Sequence, residues 1–144
     1  MKLSREYAHS AFEQHALRNP DAIAVACGNA RTTYGALDAG ANRLAHHLRT
    51  LGVGPDDLVA VCMARSPGMI QSVLAVLKAG GAFLPLDPAY PPDRLAFMLA
   101  DARPVVVITD DACRALMQSV LATTDTAPVV IDCEADAASW AQQP

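Results

Sequence analysis

The residues of this 144-residue chain that could do chemistry are aspartates after short apolar runs, four cysteines, four histidines and a glycine-rich turn. Asp87 and the pair Asp110-Asp111 each close an apolar run, where an acid can hold a metal ion or accept a phosphoryl group. Such a signalling site also needs an acidic pair after the first strand and a lysine at a later strand end, and the only lysines are Lys2 and Lys78. Asp87 and Arg94 could present a ligand or partner surface, but local roles for Asp-Pro and first-turn acids favour an ion pair between loop and helix, with Tyr90 packed over the turn. Cys27, Cys62, Cys113 and Cys133 contain no Cys-x-x-Cys pair and no histidine at ligand spacing, so zinc has little support. Cys27 and Cys62 fall in predicted strands and read as small buried hydrophobes kept reduced. His46 and His47 are adjacent and point to different sides of a helix, while His9 and His15 read as solvated or flanking positions. Gly52-Val53-Gly54-Pro55 begins like a dinucleotide fingerprint but lacks the third glycine, and Asp56-Asp57 would repel a pyrophosphate. No catalytic, cofactor-binding or metal-ligating residue is therefore assigned.

The elements that would position these groups alternate between strand and helix. A short helix runs from His9 to Arg18, and Pro20 ends it. Ile23 to Ala26 and Arg31 to Thr33 flank Gly28-Asn29, which suits the positive backbone angles of a hairpin. Thr33 caps a helix carrying Leu37, Ala41, Leu44, Ala45 and Leu48 at three- and four-residue spacing, closed by Gly52. Ala36 stands where a capping box would place Glu. Leu58 to Met63 is a continuous apolar run, as in a strand covered on both faces. Ser66-Pro67 opens a helix apolar around much of its circumference, through Met69, Ile70, Val73, Leu74, Val76 and Leu77.

The organising stretch is Leu77-Lys78-Ala79-Gly80-Gly81-Ala82-Phe83-Leu84-Pro85-Leu86-Asp87-Pro88-Ala89-Tyr90-Pro91-Pro92-Asp93-Arg94. Lys78 reads as an exposed cation in a last helical turn, and Gly80 as a left-handed helix end with Gly81 turning the chain back. Ala82 to Leu86 reads as a short buried strand, irregular or at an edge because Pro85 cannot donate. Pro91-Pro92 leads into a helix with Leu95, Met98, Leu99 and Ala102 on one face. Pro104 breaks that helix, Val105 to Thr109 is a further buried strand, Asp110-Asp111 caps a helix through Leu121, and Val129 to Asp132 is a last strand. Strands alternating with helices predict an α/β layered domain, its largely parallel sheet flanked by helices, with right-handed crossovers and an N-terminal hairpin.

That stretch closely resembles the second core motif of the adenylation domains of nonribosomal peptide synthetases, in the adenylate-forming superfamily. Thr33-Tyr34-Gly35-Ala36-Leu37 and Asn42-Arg43-Leu44-Ala45 resemble the first core motif, in the expected order. The resemblance runs from about Ala8 to Asp110 and weakly on to Asp132. It implies a partial N-terminal adenylation subdomain over residues 1–132, with 133–144 a tail leading towards the phosphate-loop region. The family activates an amino acid with ATP and Mg²⁺ as an aminoacyl-AMP and passes it to a carrier-protein thiol. No Ser/Gly-rich phosphate loop with its Lys occurs here, so the chain alone is expected to be an inactive scaffold without a cofactor. Its implied partners are the remainder of the adenylation domain or synthetase and, through the full enzyme, a carrier protein. An interaction module derived from such a domain is the alternative, and a receiver-like signalling domain a more distant one. An in-frame phosphate loop encoded beyond Pro144 would mark a cut piece, and a stop codon a natural one.

The formal net charge of −4 without a Lys/Arg cluster argues against nucleic-acid binding. Met1 to Ser10 holds no signal-peptide core and no apolar segment is long enough to span a bilayer, which points to the cytosol. Hydrophobic residues make up 52% of the chain, an excess that predicts a face meant to be covered and hence self-association when it is not.

Overall fold

A computed structural model describes residues 8–144; Met1 to Tyr7, including Lys2 and most of the stretch read as lacking a signal-peptide core, lie outside the described residues. Helix α1 (Ala8–Arg18) precedes an antiparallel hairpin of β1 (Ile23–Cys27) and β2 (Ala30–Thr33), in which Gly28 takes a φ of 58°. Thr33 then caps α2 (Tyr34–Thr50), its hydroxyl accepting from the Ala36 amide at 3.1 Å. A hydroxyl at that position satisfies an amide that the first helical turn leaves without a partner.

The remaining elements build one sheet. β3 (Leu58–Cys62), α3 (Pro67–Lys78), β4 (Ala82–Pro85), α4 (Pro92–Ala102), β5 (Val106–Thr109), α5 (Asp111–Leu121) and β6 (Val129–Asp132) follow in order, and a 3₁₀ turn (Ala137–Ser139) comes last. The sheet is parallel throughout, in the order β4-β3-β5-β6, with Val59 opposite both Phe83 and Val106. Side chains alternate across it. Val59, Val61, Val106 and Ile108 pack with Leu44, Leu48 and Val76 from α2 and α3. Ala60, Cys62 and Val107 pack on the opposite face with Leu95, Leu99, Cys113 and Met117 from α4 and α5. The result is a three-layer α/β domain.

Three expectations are corrected. Lys78 is not an exposed cation: its side chain is 5% exposed, with Nζ 2.5 Å from Glu13 Oε1 and 2.8 Å from Asp38 Oδ1. The run Ala82 to Leu86 lies at the sheet edge, as expected from Pro85, but β4 is not buried: Ala82, Phe83 and Pro85 are exposed, Phe83 by 39%. Its placement follows from its chemistry, since the Ala82 and Leu86 amides donate inward to Asp57 and Val61, which turns Pro85 outward, where no ladder amide is needed. Cys27 is half-buried rather than buried, because the hairpin lies outside both cores. On α3, whose apolar residues surround the helix, Val73, Leu74 and Leu77 are half-buried and Ile70 is exposed, whereas Ser72 and Ala75 are fully covered.

The helix ends follow the sequence closely. Ser66 Oγ accepts from the Met69 amide at 3.2 Å with Pro67 at the first helical position. Gly80 takes a φ of 92°. Gly81 serves a different need: a Cβ there would lie 3.0 Å from Val53 Cγ1 and 3.1 Å from the Asp57 carbonyl, so the turn into β4 leaves no room for one. The segment after β6 is not a loose end, because Trp140 is 5% exposed, packs into the α2/α3 core and lies 5.3 Å from the His47 ring.

Candidate functional site

In open parallel sheets, ligands are held beyond the carboxyl ends of the strands, where the strand order reverses. Here the reversal lies between β3 and β5, so the groups to examine follow Cys62 and Thr109, which are register partners. The carboxylate of Asp110 sits there, 5% exposed. Its Oδ2 accepts from the Ala64 amide and its Oδ1 from the Cys113 amide, each at 2.9 Å. One carboxylate thus caps α5 and ties the end of β3 to the end of β5. The next acid is used the same way: Asp132 Oδ1 accepts from the Glu134 and Ala135 amides at 2.9 and 3.0 Å, and Oδ2 from Arg114 at 3.2 Å. Arg114 also reaches Asp111 at 3.3 Å. Asp87 Oδ1 accepts from the Ala89 amide at 2.9 Å.

These acids pin strand ends. Each amide bond takes one of the roughly four acceptor positions of a carboxylate and favours its charged form. The expected Asp87–Arg94 ion pair is absent among the described residues: Asp87 turns onto its own loop, and the Arg94 guanidinium stacks 4.2 Å above the Tyr90 ring. Tyr90 does pack over the turn, against the α4/α5 core. The glycine turn is equally occupied, since Asp57 Oδ2 accepts the Gly54 amide at 2.8 Å, a donor a phosphate would have required.

Cys62, Cys113 and Cys133 are held neutral. Burial, reinforced by the neighbouring Cys113 thiol and then by Asp110 and Asp87, pushes Cys62 up to about 12. Burial also raises Cys113, with the Asp110 carboxylate adding to it, and raises Cys133 against the opposing effect of a Ser72 hydrogen bond. A thiol so shifted is a poor nucleophile and a poor metal ligand at neutral pH. Among the described residues no three His, Cys, Asp or Glu side chains converge as a metal site. His15 stacks on Tyr34 at 4.2 Å.

A concave apolar cleft of about 350 Å³ lies between α3 and β4, lined by Val61, Met63, Met69, Val73, Phe83 and Pro85. Arg65 and Asp87 are its charged residues. Two functional arrangements escape the sequence. The Asp110 bond to Ala64 joins residues far apart in the chain through an amide, and an amide carries no sequence signal. Lys78 gathers Glu13 from α1 and Asp38 from α2, and its carbonyl accepts from the Arg49 guanidinium, also on α2, so three helices meet at one residue of the organising stretch.

Comparison with known proteins gives the family of this three-layer α/β domain. A sequence profile of the AMP-binding enzyme family matches residues 12–143, and the chain belongs to that family. Among curated relatives it is 58% identical over 109 residues to chondramide synthase cmdD of Chondromyces crocatus, covering 74% of this chain and 3% of that protein. Over 102 residues it is 54% identical to malpinin synthetase of Mortierella alpina, covering 71% of this chain and 1% of the relative. Among solved structures, the nonribosomal peptide synthetase FmoA3 with α-methyl-L-serine-AMP bound superposes with a TM-score of 0.82 at 31% identity, over 99% of this chain and 15% of that one. A putative long-chain-fatty-acid CoA ligase from Rhodopseudomonas palustris gives 0.83 at 25% identity, over 99% of this chain and 38% of that one. The chain therefore spans a small part of every relative it matches here. Among the described residues no helix is long and apolar enough to cross a membrane.

Proposed function

We propose that this chain forms the N-terminal scaffold of an amino-acid-activating adenylation domain in a nonribosomal peptide synthetase. In that role residues 1–132 build the partial subdomain, and 133–144 lead on towards the phosphate-binding region. The complete domain joins an amino-acid carboxylate to the α-phosphate of ATP, with Mg²⁺ and loss of pyrophosphate, and hands the acyl group to a carrier-protein thiol. The carrying observation is the family match over 12–143 in a chain whose sheet-end acids and turn amides are already bonded internally. Phosphoryl chemistry of this kind needs free donors, a cation and a metal around the phosphates. Lys78, the only described lysine, is buried between two carboxylates and is not free to serve. The chain by itself is inactive in this reading, works in the cytoplasm, and completes its site with the remainder of the domain. Grafting residues 12–143 into the matching segment of a relative's adenylation domain tests it. A soluble chimera should retain amino-acid-dependent ATP–pyrophosphate exchange, and a folded but inactive one would contradict the assignment.

A further inference from the structure

We propose that α1 is a releasable strap, docked on the body through Glu13 and Lys78 and able to leave without unfolding the sheet. Neither hydrophobic core contains a residue of α1. Ala16 is its only buried described residue, and Leu17 is 82% exposed. Its contacts to the body include ring contacts and an ion pair: Phe12 and His15 lean on Tyr34 with ring centroids 5.5 and 4.2 Å away, and Glu13 reaches the Lys78 ammonium. A charge contact would be a poor latch if breaking it stranded a buried cation. Here it does not, because Lys78 has a second carboxylate, Asp38 on α2, which stays with the body. Asp38 Oδ1 is 2.8 Å from the ammonium yet makes no directed hydrogen bond, so it offers charge without fixing the lysine's orientation.

The chain just after α1 is anchored independently. Pro20 O accepts from the Gly35 amide and Ala22 O from the Tyr34 amide, both at 2.9 Å. Gly35 lets Pro20 approach so closely that a Cβ would meet it at 3.1 Å. Rotation about exposed Asn19 can therefore swing α1 away while the hairpin and α2 keep their contacts. The Lys78 carbonyl is also held by Arg49 of α2, so the end of α3 stays fixed when α1 leaves.

Hydrogen exchange on the 144-residue chain tests this, comparing the amides of residues 9–18 with those of β3 and β5. A strap opens locally, so α1 should exchange at least about tenfold faster than the strands. Glu13→Gln should speed α1 by roughly a further tenfold, as expected for a lost charged hydrogen bond, and leave the strands unchanged. Leu17→Gln, an exposed change on the same helix, should leave α1 as in the parent. The proposal fails if α1 and the strands exchange together in the parent. It fails equally if Glu13→Gln accelerates both, unfolds the chain or changes neither, or if Leu17→Gln matches its effect.

Discussion

Lys78 shows how far residue-level reading reaches. Its position at the end of a helix was legible, and so were the caps at Thr33, Ser66 and Asp110, because a cap bonds to an amide three residues on and needs only local sequence. Its burial was not, because Glu13 and Asp38 lie 65 and 40 positions away and only the packed helices bring them together. The consequence is energetic. Removing a buried cation leaves carboxylates without their partner, so Lys78→Ala should cost about 2–3 kcal/mol, below the full buried-pair value because Glu13 and Asp38 are partly exposed. Chemical denaturation that gave a loss no larger than for an exposed lysine would refute the ion triad. Cys62 offers a pH test. Its thiol ionises near its ordinary value of 9.0 when unfolded but near 12 when folded, so the folded state binds the proton more tightly. Stability from this group is full below about 9 and declines as pH rises from there towards 12. Thermal melts at increasing alkalinity should show a steeper fall for the parent than for Cys62→Val; parallel slopes would mean that Cys62 does not contribute.

At the scale of elements, the sequence marks every strand and helix of the sheet, since short apolar runs alternate with amphipathic helices bounded by Gly, Pro and caps. What it leaves open is which side of an element is covered. The apolar positions of α3 surround the helix, and the sheet chooses Ala75 and Val76 to bury while Val73, Leu74 and Leu77 stay half-exposed. The two glycines between α3 and β4 can be told apart experimentally. A Cβ at Gly80 would meet nothing within 4 Å, so Gly80→Ala pays only for a left-handed backbone, about 1–2 kcal/mol. At Gly81 the obstacle is contact with Val53 and the Asp57 carbonyl. Val53→Ala should therefore partly rescue Gly81→Ala in a double-mutant cycle and do nothing for Gly80→Ala. Equal coupling for both would place the turn wrongly.

The whole molecule is a parallel sheet with two filled faces and an unfinished rim. Ile70 and Phe83 are exposed beside the cleft under α3, and the outer edge of β4 has no partner strand among the described residues. Monomeric proteins seldom leave large contiguous apolar patches in water. The isolated chain should therefore self-associate as concentration rises, and Phe83→Ser should weaken that association. A monomer at every concentration by light scattering, with no binding of a dye for apolar surface, would show that the rim is already closed. The layered fold was legible because crossover rules leave few ways to arrange such a chain. At the candidate site the aspartates were legible as strand-end acids, but their internal bonds were not, because Asp110, Asp132 and Asp57 bond to backbone amides that carry no sequence signal. Amino-acid-dependent exchange of pyrophosphate into ATP by the purified chain alone is the most direct measurement of the central claim. The proposed scaffold role predicts no exchange above a no-enzyme control with any amino acid. Exchange above that control, abolished by omitting the amino acid, would contradict it.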